Sequence, residues 1–168
     1  MQLAPQKSAP CLWFDTEAEN AARFYCSVFD NSLIGTVSRY GNEGQEIHGK
    51  APGSVMAVSF QLDGQKFAAM NGGPQFKFDE AISFQIHCAD QKEVDYYWEK
   101  LIEGGGTEGP CGWLKDRFGL SWQVVPSALF DMLTAGDAQQ ADRVMQAFLR
   151  MQKFNIAALE RAFEGEVA

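Results

Sequence analysis

Apolar and polar residues in the first half of the chain follow patterns that predict a strand, a helix and then three strands. Cys11–Phe14 is a short apolar run, and the polar residues 15–17 after it can cap a helix. Over residues 17–29 apolar side chains recur every three or four positions, which predicts a helix with one apolar face. Strands are predicted at residues 33–40, 55–62 and 65–70, with an Asp-Gly turn between the last two.

The same order of patterns returns after residue 80. Residues 81–88 alternate as a strand does, and residues 91–103 have helical spacing behind the candidate cap Asp90. Further strands are predicted near residues 112–114 and 120–125.

The two stretches align with each other. A shift of 73 residues places the helix motif that contains Phe24 on the one that contains Tyr97 (97 − 24 = 73), and the same shift places Leu12 on Gln85 (85 − 12 = 73). The alignment predicts an α+β fold of two strand–helix–three-strand (βαβββ) modules. We expect one domain over residues 1–168, with module one near residues 10–74 and module two near 80–126.

Beyond Pro126 the composition changes. Helices are predicted near residues 128–133, 137–151 and 155–163. These segments carry many large apolar side chains. We therefore expect the helical tail, residues 127–165, to pack on the body of its own chain or on a second subunit.

Charge and composition exclude several classes of protein. A formal net charge of −8 and a pI of about 4.7 disfavour binding to nucleic acid or to an anionic membrane. No apolar stretch approaches the roughly 18 residues of a membrane-spanning helix. Residues 1–10 lack the apolar core of a signal peptide, so a cytoplasmic protein is expected. The scattered positions of the four cysteines predict buried free thiols.

Several strings of residues resemble a known family. They are Leu12-Trp13-Phe14-Asp15, Gly53-Ser54-Val55-Met56, Asn71-Gly72-Gly73-Pro74, Cys111-Gly112-Trp113-Leu114-Lys115-Asp116, Ser121-Trp122-Gln123-Val124-Val125-Pro126 and residues 156–165. With the βαβββ order, they resemble the PhnB-like branch of the glyoxalase/bleomycin-resistance/dioxygenase (vicinal oxygen chelate) superfamily. That branch is often labelled 3-demethylubiquinone-9 3-methyltransferase. The resemblance covers residues 10–165 and implies a curved sheet around a small-molecule cavity, and a homodimer.

The resemblance also implies metal-ligand positions, from which this chain departs. Members of the superfamily typically hold a divalent metal with His and Glu side chains from the first and last strands of each module. The last-strand Glu position corresponds to Gln123 here, and its counterpart in module one to Ala68. The first-strand positions fall near Ser8 and near Ala81 or Ser83. A neutral amide is a weak ligand for Zn, Fe or Ni, so we expect no metal and no cofactor.

The methyltransferase label implies S-adenosylmethionine. The common fold that binds this cofactor places a glycine-rich turn between a strand and a helix. Residues 104–106 are three glycines that follow a helix instead, and Gly72-Gly73 runs directly into Pro74. The sequence therefore shows no site of the usual form, and an unfamiliar site stays open.

Strand alternation predicts which residues line the cavity. The residues expected to face the helices are Trp13, Phe67, Ile82, Phe84, Ile86, Trp122 and Val124. The opposite, cavity-lining face then carries Leu12, Ala68, Met70, Ser83, Gln85, Gln123 and Val125. We expect Phe76, Phe78 and Trp113 to close the mouth and to stack on a planar ring. An apolar lining with two amides and one hydroxyl suits a neutral or weakly polar small-molecule ligand.

Three hypotheses about function follow. The first is a metal-free protein that binds a small, mostly apolar molecule of aromatic or quinone-like kind. The second is an enzyme, either a methyltransferase as the branch label says or a divergent metal-dependent lyase or dioxygenase. The third is a dimeric interaction protein that acts through its helical tail.

Overall fold

The structure of the chain is a computed structural model that describes residues 7–166. The chain divides into two compact units, the first ending at Lys77 and the second beginning at Phe78. No helix among the described residues is long and apolar enough to cross a membrane.

The first unit contains one βαβββ module, called module one below. Its elements are β1 (Cys11–Phe14), α1 (Ala18–Val28), β2 (Leu33–Arg39), a short α2 (Gln45–His48), β3 (Val55–Leu62) and β4 (Gln65–Asn71). The strands form one sheet in the order β1-β4-β3-β2. In it β1 is parallel to β4, and the other neighbours are antiparallel.

The second unit contains module two and the helical tail. Module two is formed by β5 (Ser83–Cys88), α3 (Gln91–Ile102), β6 (Thr107–Glu108), β7 (Trp113–Lys115) and β8 (Ser121–Pro126). Its sheet has the order β5-β8-β7-β6, with β5 parallel to β8 and the other neighbours antiparallel. The prediction of an α+β fold with two βαβββ modules is confirmed.

In each module the helix covers one face of the sheet. The buried residues of α1 are Ala18, Ala21, Ala22, Tyr25 and Val28. The buried residues of α3 are Val94, Trp98 and Leu101. Each large apolar side chain removed from water in this way contributes about 1.5–3 kcal/mol, so packing against the helix stabilises each sheet.

A distant residue caps the first helix. The side chain of Glu17 makes no capping hydrogen bond, and Ala18 N donates to Asn71 Oδ1 at 2.8 Å. Asn71, at the end of β4, also donates from Nδ2 to the carbonyl oxygen of Val55 at 3.1 Å. The prediction of a local cap in residues 15–17 is therefore wrong. In α3 the predicted local cap is present, because Glu93 N donates to Asp90 Oδ1 at 3.0 Å.

The predicted orientation of Leu12 is wrong. Leu12 is only 5% exposed and belongs to the core of module one, while its neighbour Trp13 lies half-buried on the other face of β1. The strand register explains the error. Cys11 pairs with Ala68 as Gln85 pairs with Gln123, so the strands correspond at a shift of 74 (85 − 11 = 74). Three residues, 15–17, join β1 to α1, whereas two, 89–90, join β5 to α3, and this difference changes the helix shift to 73.

The carboxylate of Asp116 fixes the connection between β7 and β8. Its side chain is 3% exposed. Oδ1 accepts hydrogen bonds from Phe118 N at 2.8 Å and Leu120 N at 3.1 Å, and Oδ2 accepts one from Trp122 Nε1 at 2.9 Å. These bonds hold the hairpin in the register that pairs Trp113 with Gln123.

The helical tail packs on its own chain. It consists of α4 (Ser127–Ala135), α5 (Ala138–Phe148) and α6 (Ile156–Glu164). One buried cluster joins the tail to β8, and its members are Val125, Leu129, Val144, Phe154 and Leu159. Lys153 Nζ lies 2.7 Å from Asp95 Oδ1 of α3, and its hydrogen bond lowers the pKa of that carboxyl.

The contact between Gly112 and Phe154 of the tail leads to a stability prediction for Gly112→Ala. Gly112 has φ +78°, and a Cβ there would overlap the ring of Phe154 and lie 2.8 Å from the carbonyl oxygen of Val124. We expect the free energy of unfolding to fall by about 3 kcal/mol, because backbone strain adds to overpacking. Urea denaturation measures the change.

Gly119→Ala is the matched control. Gly119 has φ +85° but has nothing within 4 Å of a Cβ, so only the strain of about 1 kcal/mol applies. Equal losses for the two variants would contradict the close packing of Phe154 on Gly112.

A second stability prediction concerns Asp116→Asn. The amide keeps one oxygen for the two backbone N–H groups but turns an NH₂ toward Trp122 Nε1, which leaves buried donors without an acceptor. We expect a loss of about 2–4 kcal/mol in thermal or urea unfolding. The exposed Asp79, which accepts one turn hydrogen bond from Ala81 N at 3.0 Å, is the control, since Asp79→Asn should cost under about 0.5 kcal/mol. A loss for Asp116→Asn as small as the control's would show that the three bonds do not hold the hairpin.

Candidate functional site

The face of the module-two sheet that α3 does not cover carries most of the polar residues predicted for the site. We call this surface the open face. Strand alternation and register place on it Ser83, Gln85, Trp113, Lys115, Ser121 and Gln123. The opposite face carries the buried residues Ile86, Leu114, Trp122 and Val124.

Three predicted site residues are joined by hydrogen bonds on the open face. Gln123 Nε2 donates to Ser83 Oγ at 2.7 Å, and Gln123 Oε1 accepts from Gln85 Nε2 at 3.1 Å. Gln85 is directly opposite Gln123 in the parallel pair β5–β8, and Trp113 is opposite Gln123 in the antiparallel pair β7–β8. The structure therefore brings Ser83, Gln85, Gln123 and Trp113 together.

The hydrogen-bonded residues Ser83, Gln123 and Gln85 are called the polar row, and a cavity lies beside them. It has a volume of about 510 Å³. Its lining consists of Glu80, Thr107, Glu108, Gly109, Pro110, Trp113, Leu114, Lys115 and Ser121. The size falls in the range of small-molecule sites. Trp113 lines the cavity and is also paired with Gln123 of the polar row.

The charged groups of the lining have partners. Lys115 Nζ lies 2.6 Å from Glu80 Oε1, and the hydrogen bond from Lys115 lowers the pKa of the Glu80 carboxyl. Glu108 Oε1 accepts a hydrogen bond from Trp98 Nε1 of α3 at 2.9 Å. Ser121 differs from them: its side chain is 0% exposed, and its hydroxyl has no hydrogen-bond partner in the described part of the chain.

The predicted site residues of module one form a separate group. Ala68 and Met70 lie on the face of their sheet that α1 does not cover, where Met70 is paired with Trp13. Phe76, 65% exposed, packs edge-on against Trp13 with ring centroids 4.9 Å apart. Leu12 is not in this group, because it belongs to the core.

Three further predictions about residue orientation are wrong. Val125 is 5% exposed and packs against the helical tail, so it does not line an open surface. Ile82, predicted to face a helix, lies before β5 and is 70% exposed. Trp13, predicted to face the helix, lies on the other side of its sheet beside Met70. Ser121 is an addition that the sequence pattern did not identify.

The side chains present do not fit a metal of the superfamily type. Among residues 7–166 no three His, Cys, Asp or Glu side chains are close enough together to hold an ion. Both ends of the Gln123 amide are engaged, with Ser83 and with Gln85. An amide held in this way is a poor ligand for a transition metal.

The glycine-rich segments do not form a turn that would suit S-adenosylmethionine. Gly104 and Gly105 have φ values of +81° and +120° and end α3 before β6. Gly72 approaches the ring of Trp13, and Gly73 O accepts a hydrogen bond from Trp13 Nε1 at 2.8 Å. Neither segment joins a strand to the N-terminus of a helix, so the residues do not fit the usual cofactor site.

The four cysteines are free thiols. Cys88 is fully buried, and burial raises its pKa to about 12, so it remains protonated at neutral pH. Cys11 is exposed, against the prediction of buried thiols.

Comparison with known proteins identifies a family whose sequence profile matches this chain. The sequence profile described as 3-demethylubiquinone-9 3-methyltransferase matches residues 6–125. No curated protein sequence matches the chain. The profile ends before the helical tail, so the match does not extend to the tail segment that resembles the branch.

Solved structures give the same result. The PhnB protein from Bacillus cereus, which has the provisional name of a 3-demethylubiquinone-9 3-methyltransferase, is 32% identical. The match has a TM-score of 0.62 over 73% of this chain and 100% of that one. Protein PA1353 from Pseudomonas aeruginosa is 17% identical, with a TM-score of 0.58 over 72% of this chain and 97% of that one, and shows the shared fold alone. The chain belongs to the 3-demethylubiquinone-9 3-methyltransferase family.

Proposed function

We propose that this protein binds a small, mostly apolar molecule of aromatic or quinone-like kind on the open face of module two, without a metal. The observation that carries the proposal is the hydrogen-bonded row Ser83–Gln123–Gln85 beside a cavity of about 510 Å³ that Trp113 also lines. An aromatic wall next to a few oriented polar groups is the usual composition of a small-molecule site.

The charges of the open face support a neutral ligand. Lys115 is the one lysine or arginine on the described strands of this face, and Glu80 neutralises it at 2.6 Å. A phosphate or sugar acid would therefore meet no free cation there. The amides and hydroxyl of the polar row can exchange their mutual hydrogen bonds for bonds to a carbonyl or hydroxyl of the ligand.

This proposal predicts a selective response in a binding screen. We expect neutral aromatic and quinone-like compounds to raise the melting temperature, and phosphorylated or sugar-acid compounds to leave it unchanged. Trp113→Ala should weaken binding about tenfold or more, because the ligand loses the aromatic wall. Thermal-shift measurements, followed by titration calorimetry on the compounds that bind, give both results.

Gln123→Leu should weaken binding as well. Its matched control is Gln45→Leu on α2 of module one, since Gln45 is exposed and belongs neither to the open face nor to the group of site residues around Trp13. No shift with any compound of a broad panel would contradict the proposal. So would stoichiometric Ni, Zn or Fe in protein purified without chelators.

A methyltransferase is the second candidate, and family membership is the observation that favours it. In that case S-adenosylmethionine should itself raise the melting temperature and should compete with or enhance binding of an aromatic acceptor. Such a result would show that this family uses a cofactor site other than a glycine-rich strand-to-helix turn.

We also propose that the chain is a homodimer, with the outer surface of the tail as its interface. Exposed apolar side chains on α4, on α5 and directly after α5 support this arrangement: Phe130, Met145 and Leu149 are 43%, 42% and 58% exposed. Leu149→Glu should convert a dimer to a monomer in light scattering, and Ile47→Glu on α2, where Ile47 is 86% exposed, should not. A monomeric wild-type protein, or a Leu149→Glu dimer, would contradict the arrangement.

A further inference from the structure

Ser121 is a cavity residue whose hydroxyl makes no hydrogen bond among the described residues. Its side chain is 0% exposed. A buried hydroxyl in this condition loses its bonds to water without replacement. Such groups are rare in folded proteins, and an unrecorded partner is a common reason for them.

The neighbours of Ser121 across the sheet have other partners. Lys115 and Ser83 lie directly opposite it in the two adjacent strands. The ammonium of Lys115 is bound to Glu80 at 2.6 Å, and Ser83 Oγ accepts from Gln123 Nε2 at 2.7 Å. Neither neighbour therefore uses the bonding capacity of the Ser121 hydroxyl at the cavity wall.

The charged residues around Ser121 are already paired, which disfavours a ligand that carries a charged group at this position. The Lys115–Glu80 pair is internally neutral. Glu108 is opposite Leu114 in the β6–β7 pair, and its carboxylate is bound to Trp98 on the α3 side of the sheet, away from the open face. A charged ligand group at Ser121 would lose its hydration without gaining an unpaired opposite charge.

We propose that the cavity binds a neutral, planar aromatic molecule that carries a hydroxyl or carbonyl oxygen, with the ring against Trp113 and that oxygen hydrogen-bonded to Ser121 Oγ. This inference rests on the proposed function and deepens it, because it names the anchoring atom and excludes acids and amines. Trp113 supplies a flat, half-buried apolar surface on the same side of the sheet as Ser121.

The test uses four probes with one ring system: 2-naphthol, naphthalene, 2-naphthoate and a protonated naphthylmethylamine. Titration calorimetry or ligand-observed NMR on the full-length protein gives their affinities. We expect 2-naphthol to bind about tenfold more tightly than each of the other three, as expected for one hydrogen bond to a buried hydroxyl. Tighter or equal binding of the acid or the amine would overturn the inference.

Ser121→Ala identifies the anchoring atom. It should reduce the affinity for 2-naphthol to that for naphthalene and leave the affinity for naphthalene unchanged. Its melting temperature should be equal to or above that of the wild type, since the substitution removes a buried unpaired group. Ser121→Cys, with a weaker donor of similar size, should give an intermediate affinity. Ser27→Ala is the control, because Ser27 is exposed on α1 and its hydroxyl donates to its own helix at Phe24 O.

The outcomes separate this inference from the proposed function. If the wild type binds 2-naphthol and Ser121→Ala does not alter the preference over naphthalene, the anchoring role is wrong and the proposed function stands. If neither these four probes nor a broad panel of neutral aromatic compounds binds the wild type, the proposed function fails and this inference fails with it.

Discussion

Three hydrogen bonds to the carboxylate of Asp116 hold the β7–β8 connection in place, and the candidate site depends on them. The connection joins β7, which carries Trp113 and Lys115, to β8, which carries Ser121 and Gln123, and all four side chains lie on the open face. A slip of one residue in this hairpin would turn Ser121 and Gln123 toward α3 and bring Trp122 to the open face. A buried carboxylate that accepts from two backbone N–H groups and an indole N–H makes such a slip costly, because moving Trp122 to the other face would break its bond to the carboxylate.

The order of the longer elements could be predicted from the sequence because it depends on local periodicity and turn residues, whereas the short α2 and β6 were not predicted. The orientation of β1 could not, although the repeat itself was visible. The helix of module one matches that of module two at a shift of 73, but the strands match at 74, since one more residue joins β1 to α1 than joins β5 to α3. Strand side chains alternate with a period of two, so this single residue is enough to exchange Leu12 and Trp13 between the core and the open side.

The polar row was predictable, whereas the hydroxyl of Ser121 was not. Ser83, Gln85 and Gln123 could be assigned to one face from the alternation of β5 and β8 alone. Whether a buried hydroxyl has a partner depends on the side chains opposite it in adjacent strands, and on where their own hydrogen bonds go. The cap of α1 shows the same limit, because Asn71 lies 53 residues along the chain from the N–H group that it binds.

The helical tail supports the site through backbone hydrogen bonds next to Trp113. Cys111 N and Gly112 N donate to the carbonyl oxygens of Met151 and Gln152 at 2.7 Å each, which fixes the chain as it enters β7. The family profile ends at residue 125 and does not include the residues that accept these bonds. A relative without such a tail must satisfy the same two N–H groups differently, because buried donors rarely go unpaired. The edge of the cavity at Trp113 is therefore where we expect members of this family to differ most in the ligands that they bind.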